Sequence, residues 1–467
     1  VHAERMAHIR NAAWCALALA LTATACASSA AQTAPSGSSP SPIASGPKPF
    51  LTVPSIQECR KALHIPCYTP DVVRKAYGID KLNHRGLTGK GRVIAIYDEF
   101  VPPSLERDLE KFSEAMNLPK PKLTIRKIDS GGSAAPFDAT NESMAAGAME
   151  TTLDVQMAHM MAPDAKIVVG QLALPKAPPN RPDRPFLTHI PSEEAKESGE
   201  GMAELFAGAF AEMVKQDSPD VISVSYSAQE YQAAGNTHEP VVAFEKASKV
   251  FADLVGEGVT LVSGAGDWGA APTIGEDDKR VRSTSWPASD PAFLSLGGSR
   301  LHLDAHGKRT GPDTVWNDST TQGGATGGGP SQTFRRPAYQ ESVRDVVGDR
   351  RGTSDVSMDG SASGGTLIYQ SFLPAGAGWL PLGGTSEATP LFAAVVALAG
   401  EKAGKRLGDI HDELYKLAQD PKGGIVDITE GNNGPDGFEA TKGYDLASGL
   451  GTVDAARFVP ALAAAAA

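Results

Sequence analysis

The stretch LGGTSEATPLFAAVVALAG, Leu382 to Gly400, places Ser386 where a glycine pair gives way to an apolar helix. The first N–H groups of a helix have no intrahelical partner, so a hydroxyl there lies beside ready-made donors for an oxyanion. The position also suits a capping serine, with Thr385 beside it, and this stretch alone does not separate nucleophile from cap. Pro390 is expected to be tolerated because those first N–H groups are free. A second Gly-Thr-Ser, in RGTSD at Arg351 to Asp355, has no apolar helix after it and reads as a decoy.

A serine nucleophile needs a base. The histidines beyond the N-terminal signal are His64, His84, His159, His189, His238, His302, His306 and His411; none precedes a Gly-Thr pair, and a Ser/His/Asp arrangement has no support. Carboxyls offer an alternative. In AMETTLDVQMAHMMAPDAKIVVG, Glu150 and Asp154 stand four apart in a helical run, so both lie on one face, close enough to share a proton. Such a pair is ordinarily a solvated face. Here Leu153, Val155, Met157, Met160 and Met161 make the helix largely apolar, and the two acids are exceptions that need a reason. Asp138 and Glu142 repeat the spacing in the polar FDATNES, where the solvated reading holds. Asp267, in LVSGAGDWGA, follows a strand end and a glycine turn, a place from which side chains reach a site above the carboxyl edge of a parallel sheet. Alone, an aspartate in a glycine turn is more often structural.

These residues must be positioned by regular elements. RVIAIYD (92–98), KIVVGQLAL (166–174), VISVSYS (221–227) and VTLVSGAG (259–266) are β-branched and apolar on both faces, as buried parallel strands are. Between them SLERDLEKFSEAMNL, SMAAGAMETTLDVQMAHMM, GMAELFAGAFAEMVKQ and PVVAFEKASKVFADLVGEG show helical spacing, several closed by Gly or Pro. The expectation is an α/β domain, a parallel sheet with helices on both faces. The Pro-rich, charged segment 175–199 reads as a surface excursion. GLTGKG (86–91) precedes a strand where a phosphate loop would follow one, and GGATGGG (323–329) lacks the Lys-Ser/Thr ending; both read as turns.

At 467 residues, 41% hydrophobic and 21% charged, the chain can build a large core. A net charge of −12 with no basic cluster argues against a nucleic-acid partner. Arg10 precedes the apolar run AAWCALALALTATA, the length of an export signal and short of a membrane span. It ends at Cys26 after small residues, which resembles a bacterial lipoprotein signal, with Ala23 where leucine is usual; a lipid anchor at Cys26 and ordinary cleavage both stay open. Residues 1–26 thus read as signal, the Ser/Ala/Pro-rich 27–50 as a disordered tether and 51–467 as the domain. In an exported chain Cys59 and Cys67 read as a disulfide closing a short loop, with two free buried thiols as the alternative.

The ordered set METTLDVQMAHMMAPDAKIV, GDWGA, SWPASDPAFLSLGGS, GGGPSQTFRRPAYQ, SDVSM, GGTSEATP and VDITEGNNG with KGYDLASGLGTVD resembles the sedolisin family of serine-carboxyl peptidases, from about Tyr68 to the C-terminus. The resemblance implies a subtilisin-like fold as a single catalytic domain. It implies Ser386 as nucleophile, Glu150 as general base and later acid, Asp154 as the carboxyl orienting Glu150, and Asp267 completing the oxyanion hole. The chemistry is intelligible: an imidazole is protonated in acid, whereas a glutamate can still accept a proton there. Two carboxyls sharing one proton split their pKa values into a base and an orienting acid.

The C-terminal motifs resemble the family's calcium site, with Asp427 and Asp445 supplying carboxylates and Ile428, Thr441 and Gly443 backbone carbonyls to one structural Ca2+. Thr441 stands where glycine is common, Trp268 is bulkier than usual, and a long pro-domain is not evident before the first motif. The resulting expectation is an exported, monomeric acid endopeptidase acting on proteins or peptides, secreted or tethered to the outer face of a bacterial membrane. A non-catalytic surface binding protein on the same fold, or a serine esterase or amidase, is the alternative.

Overall fold

The computed structural model describes residues 48–128, 135–172, 192–275 and 279–466. The signal, Cys26, most of the tether and the first part of the 175–199 segment lie outside the described residues. Among those described, eight strands form the main sheet: β1 (Val93–Asp98), β2 (Lys122–Ile128), β3 (Lys166–Leu172), β4 (Val221–Val224), β5 (Thr260–Gly264), β6 (Phe293–Arg300), β7 (Thr314–Val315) and β8 (Val356–Asp359). Their order is β7-β6-β5-β4-β1-β3-β2, with β8 also paired to β6; every pairing is parallel except that of β7. In β1, Ile94 and Ile96 enter one core and Ala95 and Tyr97 the other, so a continuous apolar run serves two faces.

One face carries α2 (Leu105–Ala115), α3 (Glu142–Met161), α6 (Thr385–Ala403) and α7 (Ala455–Ala465); the other carries α4 (Ser192–Asp217) and α5 (Val242–Gly256). From Met144 onward, nearly all of α3 is buried, and so is α6 from Thr385 to Gly400, which explains why neither has a polar stripe.

Four strands of the main sheet, β2, β6, β7 and β8, were not anticipated from the sequence. In β6 the pair Gly297-Gly298 looks like a turn, yet both glycines are strand residues made necessary by close neighbours: a Cβ would stand 2.4 Å from Ser357 Oγ at Gly297 and 2.6 Å from Trp316 Cε3 at Gly298. β2 is a charged edge strand and β8 is only four residues long. The helix α4 also shortens the surface excursion read at 175–199, since it starts at Ser192. Its polar first turns hide a stripe of Ala195, Ser198, Gly199 and Met202, and a Cβ on Gly199 would stand 2.5 Å from that of Ala233.

Before the sheet, Ser55 and Glu58 cap the helix α1 (Ile56–Leu63) reciprocally, at 2.7 and 3.3 Å. Cys59 and Cys67 form the expected disulfide, Cα to Cα 5.8 Å. Pro49 is buried and Phe50 exchanges backbone hydrogen bonds of 3.0 and 2.8 Å with Trp379, so the packed structure already includes the last residues of the tether segment. Tyr68 likewise joins the hairpin β9 (Thr366–Gln370) and β10 (Gly378–Leu382), which runs directly into Ser386.

Candidate active site

Ser386 is the second residue of α6. Gly384 precedes the helix at φ 117°, a conformation that L side chains rarely adopt, and a Cβ on it would stand 2.8 Å from Asp267 Oδ2. The helix starts earlier than the sequence reading of Pro390 assumed. Counting from Thr385, Pro390 is the sixth helical residue, inside the helix, so it withholds the N–H that would close on the Ser386 carbonyl.

Glu150 and Asp154 come from the middle of α3, which packs against α6. The Glu150 carboxyl faces the hydroxyls of Ser386 and Ser225 and feels the charge of Asp267; burial is the main force pushing it up to about 8. Asp154 accepts a 2.9 Å hydrogen bond from Ser225 Oγ on its Oδ2. Burial first, then the neighbouring Glu150 and Asp98, hold it well above the ordinary carboxylate range. Asp267 lies three residues past β5. Its Oδ1 accepts from the Thr385 amide and the Thr385 hydroxyl, both at 2.7 Å, while burial raises its pKa against those bonds. Three acids and one serine, predicted from three separate segments, are thus gathered at one sheet edge.

Sequence reasoning missed three members of this group. Asp98 closes β1, fully buried, beside Thr151 and Tyr226; burial and Glu150 push it far up. Its place in the sequence, a carboxyl ending the apolar VIAIYD, is one that an ordinary turn former also takes. Ser225 was read only as part of a strand, and Thr385 only as the neighbour of a serine that could be nucleophile or cap. Asp138 is exposed, as the solvated reading expected, but it precedes the helix that Glu142 begins, and Glu142 is half-buried; RGTSD is an interior segment in which Arg351 pairs with Asp355 at 2.8 Å. His159 shares α3 with Glu150 but faces Pro119, Arg74 and Asp164, and burial lowers it to about 4.

The C-terminal loops place Asp427 and Asp445 close together. Asp427 Oδ2 accepts the Gly443 amide at 2.8 Å, and Asp445 Oδ2 accepts the Thr441 amide at 2.9 Å. Asp445 Oδ1 takes the amides of Ala447 and Ser448. Among the described residues no three His, Cys, Asp or Glu side chains are grouped to hold a metal ion, so an ion here would depend on backbone carbonyls beside two carboxylates. The loop that continues from Ile428 reaches the active site: the Asn433 carbonyl accepts the Ala270 amide at 3.1 Å, three residues past Asp267.

No protein-family model matches the chain. It is 31% identical over 406 residues to kumamolisin of Bacillus sp. (strain MN-32), an alignment covering 85% of this chain and 63% of that protein. It is 31% identical over 257 residues to sedolisin of Pseudomonas sp. (strain 101), covering 53% of this chain and 42% of that one. The chain therefore spans less than two thirds of the length of these relatives. The crystal structure of Pseudomonas sedolisin, a serine-carboxyl proteinase complexed with two molecules of pseudo-iodotyrostatin, superposes with a TM-score of 0.67 at 24% identity, over 85% of this chain and 97% of that one. That likeness carries the fold, a mostly parallel α/β sheet of the subtilisin kind.

Proposed function

The chain belongs to the sedolisin family of serine-carboxyl peptidases, and from that premise we propose that it is an exported endopeptidase that hydrolyses peptide bonds in acid through an acyl-enzyme on Ser386. The observation that carries the reading is the meeting of Glu150 and Ser386 from two buried helices. Ser386 Oγ attacks the substrate carbonyl while its proton passes to Glu150; the C–N bond then breaks as Glu150 returns that proton to the leaving amine. Water repeats the sequence on the acyl-enzyme, releasing the acid and the free serine. Asp154, steadied by Ser225, orients Glu150 and shares its proton.

Asp267 must be protonated to donate to the oxyanion. Its Oδ1 already accepts two hydrogen bonds from Thr385, which leaves Oδ2 to carry the proton. The raised pKa of this buried acid favours that form at low pH. As pH rises, Asp154 and Asp267 ionise and activity is lost.

Asp427 and Asp445, with the carbonyls of Ile428, Thr441 and Gly443, would hold one Ca2+. The donor set is all oxygen, and a cation would offset the burial that raises Asp445. The ion would tie the C-terminal loops, and through Asn433 the segment after Asp267, without entering the chemistry. Peptides or proteins are the substrates. Among the described residues no helix is long and apolar enough to cross a membrane.

The test is incubation of the wild type and Ser386→Ala with denatured casein or a mixed peptide library from pH 3 to 7, in calcium, with fragments identified by mass spectrometry. Cleavage by the wild type alone, strongest in acid, is expected. Folded protein that cleaves nothing at any pH overturns the reading in favour of a binding protein, and turnover of small esters alone would favour an esterase.

A further inference from the structure

Glu387 follows Ser386 directly, and one residue further along a helix turns a side chain by about 100°. While Ser386 meets Glu150, Glu387 enters the core, fully buried. Its Oε1 accepts from the Thr366 hydroxyl of β9, and its Oε2 has no hydrogen-bond donor. The carboxyl acting on it is Asp359, the last residue of β8 and equally buried. The amides of Leu301, Gly360 and Ser361 face Asp359, but neither of its oxygens closes a hydrogen bond.

The other ionisable groups around Asp359 are Asp313, Tyr77, Tyr68 and Arg309. Tyr77 uses its hydroxyl to accept the Asp359 amide at 2.7 Å. Arg309 is engaged by Asp313 through bonds of 2.9 and 2.8 Å. Arg309, the cation that feels Asp359 among the described residues, therefore already has a carboxylate partner, and two buried charges at this place would repel each other with little to offset them.

The pair is also tied to the nucleophile. Gly360, next to Asp359, accepts the Gly384 amide at 2.7 Å, two residues before Ser386. The packing there is so close that a Cβ on Gly360 would stand 2.8 Å from the Gly384 carbonyl oxygen.

We propose that Asp359 and Glu387 are positioning residues for Ser386: holding their protons, they clamp the first turn of α6 against β8, and when both ionise their repulsion drives that turn, and the serine, away from Glu150. This is a second acid pair, on a different face of α6 from the one that meets Glu150, and it sets an alkaline limit through structure. Burial foremost raises both carboxyls well above their ordinary range, with Asp313 adding to Asp359 and Asp359 to Glu387. The folded state then binds more protons than the unfolded one. The pair's contribution to stability is complete below the ordinary carboxylate range and is lost as pH rises through the raised values.

The activity arm rests on the peptidase reading, while the folding arm does not. The thermal midpoint is to be followed from pH 3 to 9 in Ser386→Ala, alone and with Glu387→Gln or Asp359→Asn. The pH profile of kcat/KM is to be measured for the same two substitutions with the serine intact. Glu387→Gln is expected to match its parent at pH 4, to keep its midpoint to a pH about one unit higher, and to inactivate about tenfold more slowly at pH 8. Coincident midpoint curves for parent and variants would overturn the proposal, as would a loss of activity equal at every pH. Should Glu387→Gln fail to fold, Asp359→Asn makes the same test from the other partner. Absence of cleavage by every form defeats the peptidase reading and leaves the midpoint curves to decide this one.

Discussion

Glu150 and Asp445 are equally buried, each 3% exposed, yet they are surrounded by opposite chemistry. Asp445 sits in a loop that turns amides toward it: Thr441, Ala447 and Ser448 all donate, and these bonds oppose the upward push of burial. Glu150 sits in a helix interior, where the backbone donates nothing sideways; its neighbours are two hydroxyls and other acids, and its pKa is pushed up to about 8. Burial alone does not decide what a carboxyl does. Donors prepare it for a permanent charge and a cation, and their absence prepares it to hold and pass a proton.

The largest expected effect comes from breaking the helix side of this contrast. Glu150→Gln removes the proposed base and should lower kcat by about a thousandfold, within the range general-base catalysis supplies. It should also stabilise the protein at high pH. Burial raises both Glu150 and Asp154 above the ordinary carboxylate range, so the folded pair keeps a shared proton that the unfolded chain gives up, one that rests on Asp154 while Glu150 accepts the serine's, and stability is lost as pH rises through the raised values. Glutamine cannot ionise, so the variant should melt higher than wild type at pH 8 and equally at pH 4. Turnover and thermal midpoints at both pH values check this; a variant melting lower at pH 8 would show that the pair holds no shared proton.

Breaking the loop side should do the reverse. Asp445→Asn, or a chelator, should lower the melting temperature near pH 6 and leave the bond-breaking residues intact. A ligand at about a hundredfold its Kd stabilises by about 2.7 kcal/mol, which predicts a shift of several degrees. Because Asn433 holds the Ala270 amide, activity should fall as the segment after Asp267 loosens. Identical melting curves with calcium and with chelator would remove the ion from the account.

The same contrast explains what was legible in the sequence. Glu150 and Asp154 could be read because an acid in an apolar helix violates its surroundings, and Ser386 because a glycine pair before an apolar helix marks a helix start. Asp98 could not be singled out. An aspartate ending a strand is also an ordinary turn former, and only the placement of β1 between β3 and β4 buries it. Glu387 stood in plain view within the quoted Ser386 motif, but its significance depends on Asp359, which a separate strand delivers. Gly297 and Gly298 show the opposite case, a strand left unread because local preference disfavours glycine there while tertiary crowding by Trp316 and Ser357 demands residues without side chains.

Asp98 supplies the smallest and most discriminating expected effect. It adds to the negative environment that raises Asp154, and it is itself raised by Glu150, so the three acids hold their protons as a group. Asparagine keeps the size of the side chain beside Thr151 and Tyr226 but cannot carry a charge. With that repulsion gone, Glu150 and Asp154 should ionise more readily. The acid limb of the kcat/KM profile, where Glu150 must lose its proton, and the alkaline limb, where the group loses its last shared proton, should both move toward lower pH. The expected displacement is about one unit, with about a tenfold loss on the alkaline side and little change in the maximum. A purely structural Asp98 would lower the whole curve without moving it. The position of the two limbs in Asp98→Asn, measured against wild type, therefore decides whether the proton-holding region ends at two carboxyls or extends to a third.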